Sequence, residues 1–294
     1  MAIAGPGAVQ SHALLLSTVL ALGAALSWGV SDFLGGVTSR RLPLLWVLLF
    51  TQVVGLAIVV PFAVAHGGPT FEPRTILTAM AGSLAGLVGI AGLYRAIALG
   101  VASIAAPISA TGAILPVAFG LARGDPTTTL QEVGMACALL GIIVASRTGE
   151  AQAHLGRDAR LGVAFALLAA MGFGGFFILL HEASADDVLW AVSIQRATGA
   201  IVMGLIVVAR RPRFALTWSD APTLLLVGSL DQAANVLYGL ASTVGLVSLA
   251  AVLASLYPMV TVVLARLILN ERISGVQKSG VALALTGVAL VAGR

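Results

Sequence analysis

From Ala13 to Val37 the chain reads ALLLSTVLALGAALSWGVSDFLGGV, 25 residues with one ionisable group, Asp32. A helix rises ~1.5 Å per residue, so about 20 apolar residues cross a ~30 Å hydrocarbon core. The stretch exceeds the ~7–15 apolar residues of a signal peptide, and no basic segment precedes it. It is expected to be a retained first membrane helix. The same ruler, moved outward along the chain, marks about ten spans: 13–38, 44–65, 75–98, 101–122, 130–146, 161–180, 188–209, 221–243, 245–269 and 275–293. The expected fold class is an all-α integral membrane protein.

Composition agrees. Of 294 residues, 59% are hydrophobic and 10% charged, with a mean hydropathy of +1.04. A soluble domain carries about 25% charged residues, and this chain has too few polar groups to cover a water-facing surface. Lipid is therefore the expected solvent, and the bilayer the first partner. The net charge of +4 comes almost wholly from arginines in short loops, Lys278 being the single lysine. These arginines form no patch with interleaved aromatics, which argues against nucleic acid. Cys137 stands alone in an apolar run, so neither a disulfide framework nor a thiolate metal site is expected.

Breaks between spans are mostly explicit: Ser39 to Pro43, His66 to Arg74, Arg123 to Pro126, Arg210 to Arg213 and Asn270 to Arg272. The longest polar stretch, Arg147 to Arg160, divides the chain into halves. Two junctions are small-residue turns without charge, at Leu99–Ser103 and Thr243–Leu246. Gly82-Ser83-Leu84-Ala85-Gly86 is a small-xxx-small stretch that permits close helix contact where lipid gives no hydrophobic reason to associate.

The halves resemble each other at a nearly constant separation of 144–146 residues. Ala25-Leu26-Ser27-Trp28-Gly29 matches Ala170-Met171-Gly172-Phe173-Gly174. Trp46 matches Trp190, Gly82-Ser83-Leu84 matches Gly228-Ser229-Leu230, and Leu93-Tyr94 matches Leu237-Tyr238. Asp125, Gln131, Gly134 and Gly141 match Glu271, Gln277, Gly280 and Gly287. The expected division is 1–146, a connecting loop 147–160, and 161–294. Five helices per half is an odd number, so the second half enters the membrane in the opposite sense. Such inverted repeats suit alternating access.

The second-half run Leu237-Tyr238, Ser248 to Pro258, Leu269-Asn270-Glu271-Arg272-Ile273, Gly280 and Gly287 resembles the EamA-type repeat of the drug/metabolite transporter superfamily. The first copy is looser, with Asp125 at the usual glutamate and Pro116 displaced relative to Pro258. The resemblance implies a ten-helix carrier of small metabolites or amino acids, often an exporter. The expected location is the plasma (cell inner) membrane.

Ionisable groups at membrane depth cost a few kcal/mol each and usually face a cavity or a partner. Asp231 lies about ten residues into the eighth span, roughly 15 Å deep. Asn235 and Tyr238 follow at i+4 and i+7 on the same face. Gln195 and Arg196 sit in the seventh span, and Asp32 lies late in the first. One reading makes Asp231, Asn235 and Tyr238 line a central cavity with Tyr94. Arg196 then neutralises Asp231 or binds an anionic cargo group, and Trp28 and Phe173 form aromatic walls. The other makes the same groups an interhelical network that only locks the bundle. Asp231 is also a candidate proton site, with protons as coupling ion. Asp125 and Glu271 read as capping or loop-pairing groups.

The loops after odd-numbered spans and before even-numbered ones hold ten basic residues, against three on the face bearing the termini. That places the arginine-rich face in the cytoplasm and the termini outside, although members of the resembled family commonly have cytoplasmic termini. A membrane-embedded enzyme or an accessory subunit is the rival reading. His12, His66, His154 and His181 do not cluster, and neither H-E-x-x-H nor G-x-S-x-G is present. No phosphate-binding G-x-x-x-x-G-K-[ST] occurs, so a solute or ion gradient is the expected driving force. No cofactor or metal is expected.

Overall fold

The computed structural model describes residues 6–39, 41–67, 72–99, 108–145, 157–214, 216–268 and 274–292. Within them the secondary structure is helical: α1 Pro6–Ser39, α2 Leu44–His66, α3 Pro73–Ala98, α4 Ile114–Ala122, α5 Thr129–Ala145, α6 Arg157–Ala183, α7 Val188–Arg210, α8 Ala221–Val244, α9 Val247–Ala254, α10 Tyr257–Ile268 and α11 Gly275–Ala292. A 3₁₀ turn, Thr111–Ala113, precedes α4. Among the described residues, six segments are long and apolar enough to cross a membrane: His12–Ser39, Leu44–His66, Pro73–Ala96, Arg160–Ala183, Val188–Arg210 and Trp218–Val244. Four shorter apolar segments, Ile108–Ala122, Thr129–Ala145, Val247–Thr261 and Gly275–Val291, accompany them.

The junction expected at Thr243–Leu246 is present, with α8 ending at Val244 and α9 starting at Val247. The one expected at Leu99–Ser103 falls largely outside the described residues. The single span expected over 245–269 is two helices, broken at Ser255 and Leu256. Pro258 is the reason: inside a continuous helix it would lack its N–H and collide with the carbonyl one turn earlier. Placed second in α10, it costs nothing.

Most packing runs between halves. α3 lies against α6, α1 against α8, α2 against α7, and α5 against α11. Exchanging the halves turns the first pair into the second and each of the others into itself. Finer contacts repeat the exchange. Trp46 Nε1 donates to Pro212 O at 3.4 Å, and its counterpart Trp190 Nε1 donates to Gly67 O at 3.2 Å. Thr128 and Gln131 form a reciprocal capping box at the start of α5, as Ser274 and Gln277 do at the start of α11.

Glycines set the closest crossings. A Cβ on Gly141 would lie 2.3 Å from Ala284 N, and one on Gly287 would lie 2.4 Å from Ala138 N. Gly134 and Gly280 meet α11 and α5 backbone in the same reciprocal way. Gly29 abuts Tyr257 O of α10, while its counterpart Gly174 abuts the Gly112 carbonyl beside α4. The stretch from Gly82 to Gly86 faces Leu179 and Phe176 of α6. These small residues let α1, α2, α3, α6, α7 and α8 stand around a central space.

Candidate functional site

That space is a cavity of about 390 Å³. Helical spacing selects its wall. On α1, Trp28, Ser31, Asp32, Gly35 and Ser39 fall on one face. On α3 the wall is Ser83, Gly86, Leu87, Ile90 and Tyr94. Leu44, Leu48, Thr51 and Gln52 of α2, Phe173, Phe176 and Phe177 of α6, Gln195 and Arg196 of α7, Asp231 and Asn235 of α8, and Tyr257 of α10 complete it. The cavity extends from the level of Trp28 to the helix ends at Ser39 and Leu44, on the arginine-rich face.

Arg196 organises one side. It is 3% exposed, and a buried guanidinium needs full pairing. Nε donates to Gln232 Oε1 at 2.9 Å, and Nη1 donates to Gln52 Oε1 at 3.1 Å. Nη2 lies 2.5 Å from Asp231 Oδ2. Gly55 and its counterpart Gly199 make room for this cluster, because a Cβ at either would press on Gln232 and Arg196 or on Gln52. Asp231 keeps 21% side-chain exposure towards the cavity. Arg196 therefore pairs with Asp231, and Nη2 makes this ion pair without a hydrogen bond to any described residue.

Asp32 is different. It is exposed on the cavity wall and makes no ion pair or hydrogen bond with any described residue. Gln195 and Asn235 are 4% and 3% exposed. Both amide atoms of Gln195 and Oδ1 of Asn235 lack a hydrogen-bond partner among the described residues, an expensive state for buried polar atoms.

Aromatic rings close the deep end. Trp28 stands edge-on to Phe177 at 5.5 Å and Phe176 at 6.0 Å between centroids, with Tyr257 at 6.2 Å. Tyr238 packs 4.7 Å from Phe177 and donates its hydroxyl to Phe177 O at 3.0 Å. It is wholly buried and lies beneath this floor rather than on the wall. Seven residues from Asp231 is about 10 Å along the helix, past the end of the cavity. The other expected residues, Asp231, Asn235, Tyr94, Trp28, Phe173, Gln195, Arg196 and Asp32, all line the cavity. Gln52, Phe176, Phe177 and Tyr257 join them without having been singled out from sequence, and Gln232 supports Arg196 from outside the lining. Gln52 carried a usable signal, a lone amide in the second span, 144 residues before Arg196.

The opposite face is closed by polar contacts. Glu182 pairs with Arg74 and, at 3.3 Å, with Arg123. Thr75 donates to Asp186 at 2.9 Å. Asp125, expected to cap or pair, accepts from Ser248 N at 3.0 Å and Ser248 Oγ at 2.6 Å. It thereby caps α9 of the other half. Glu271 lies outside the described residues.

The model of the EamA-like transporter family matches the chain twice, over residues 15–147 and 160–293. A search of curated proteins finds no match. A solved crystal structure shares the fold with a TM-score of 0.76 and 18% identity, over 93% of this chain and 95% of that one. Two family matches, end to end over nearly all of the chain, leave no ambiguity: this protein belongs to the EamA-like transporter family of the drug/metabolite transporter superfamily.

Proposed function

We propose that the protein is a secondary transporter of small metabolites or amino acids, an exporter of the plasma membrane working by alternating access. The observation that carries this is the cavity between the two halves, reaching the arginine-rich face while polar contacts close the other. In this reading the two halves, 1–146 and 161–294, are inverted repeats joined by 147–160. The chain crosses the bilayer ten times, with α9 and α10 forming one broken crossing. The symmetric helix pairs support it, because halves related by exchange can trade conformations and move the opening to the other face.

Positive-inside bias puts the arginine-rich face in the cytoplasm. The conformation is then open inwards, ready to load cytoplasmic cargo. The buried Arg196–Asp231 pair gives coupling a place to act, and protons are the proposed coupling ion. Purified protein in liposomes, screened with pooled metabolites and amino acids, tests the function. Saturable uptake by the wild type and its loss in Asp231→Asn are expected. Uptake insensitive to an imposed pH gradient would remove proton coupling, and absence of uptake from folded protein would favour an accessory role.

A further inference from the structure

The cavity has an uneven charge balance. Besides two tyrosines, three ionisable side chains line it: Asp32, Asp231 and Arg196. Two of these cancel, since Asp231 and Arg196 are paired at 2.5 Å. Nε and Nη1 of Arg196 donate to Gln232 and Gln52, and Nη2 faces Asp231. What remains is one carboxylate, Asp32, exposed on the wall without a described partner. The same cavity is lined by Gln195 and Asn235, whose amide atoms Gln195 Oε1, Gln195 Nε2 and Asn235 Oδ1 have no hydrogen-bond partner among the described residues. One turn from Asp32 on the same face is Trp28, and Phe173 and Phe176 of α6 extend the apolar wall. A ring face near a cation adds attraction of its own.

We infer that the cavity takes a small organic amine, its protonated nitrogen towards Asp32 and its apolar or aromatic body against Trp28 and the α6 rings. The inference rests on the carrier reading of this site and narrows it. A zwitterionic amino acid would bring a carboxylate into a cavity whose one cation is already paired. An anion would meet Asp32 without compensation. An ammonium supplies both the opposite charge and the N–H donors that the exposed Asp32 carboxyl lacks among the described residues.

Three probes share one body and differ in charge: phenethylamine, phenylalanine and 3-phenylpropanoate. Binding to the purified full chain is measured by calorimetry, beside the liposome uptake screen. Phenethylamine is expected to bind at least tenfold tighter than the other two. Asp32→Asn should abolish that preference while leaving the melting temperature unchanged. Asp32→Glu should keep it, and 2-phenylethanol should bind wild type and Asp32→Asn alike. Equal or tighter binding of phenylalanine or phenylpropanoate overturns the inference. So does a preference for phenethylamine that survives Asp32→Asn. If none of the three binds while some other solute is taken up saturably, the amine inference falls and the carrier reading stands. If nothing binds and nothing is taken up, both fall.

Discussion

Arg196 donates to Gln52 at 3.1 Å, and the two residues occupy corresponding places in the two halves, 144 residues apart. One half contributes charge and the other an amide, so the pair is asymmetric where the scaffold is symmetric. Removing the charged member strands Asp231, Gln52 and Gln232 together. Breaking a buried ion pair from one side costs about 3–5 kcal/mol, reduced here by the 21% exposure of Asp231. Arg196→Met should therefore destabilise by about 2–3 kcal/mol, read as a lower melting temperature in detergent. Adding Asp231→Asn should restore part of the loss, giving a coupling energy in a double-mutant cycle.

The crossing of α5 and α11 should be the least tolerant place in the fold. Gly141→Val puts carbon 2.3 Å from a backbone nitrogen, where only main-chain movement gives relief. Overpacking of this kind costs about 1–3 kcal/mol, so reduced melting temperature and yield are expected. Gly36 is the control, because a Cβ there meets nothing within 4 Å. Gly36→Ala should be neutral or stabilising by up to about 1 kcal/mol through helix propensity.

Tyr94 and Tyr238 are counterparts in sequence but not in environment: Tyr94 is 40% exposed on the cavity wall and Tyr238 is 0% exposed beneath it. In alternating access the two should trade places. On a Cys137→Ala background, Tyr94→Cys is expected to react with a membrane-impermeant thiol reagent applied to the arginine-rich face. Tyr238→Cys should stay protected until transported solute drives turnover, and then react from the opposite face. Equal labelling of both positions at rest would contradict a one-sided opening.

Glu182 holds Arg74 and Arg123 at the closed face. Exposed pairs of this type contribute about 0–1 kcal/mol to stability and weaken with salt. Glu182→Gln should hardly change melting. Its effect belongs to the balance between conformations: labelling at Tyr238→Cys should rise several-fold, and high salt should raise it in the parent background too. The asymmetry has a sequence basis, since Val37 stands 145 residues before Glu182 and supplies no matching acid at the other face.

Helix positions and the doubling of the chain were legible because both are written in hydropathy and spacing. The residues around Asp231 were legible for a related reason: polar groups at membrane depth are rare enough to attract notice. Tyr238 was misplaced by counting helix face without counting depth, since i+7 keeps the face but moves past the floor. The two roles open to Arg196 could not be separated from sequence, because each needs the same side chain; the 2.5 Å approach to Asp231 supports the pairing role. The break at Ser255 and Leu256 was signalled by Pro258 and passed over in favour of an unbroken apolar run.

The reciprocal glycines of α5 and α11 bear on ancestry. A half-length chain pairing with a second copy of itself would form that crossing unaided, each substitution being felt at two places at once. Such a pairing would also set like against like wherever the copies meet near the axis, arginine facing arginine. The contact of Arg196 with Gln52 is open only to a gene in which the two copies are written separately. Within one chain, one half carries a charge that the other half receives with an amide.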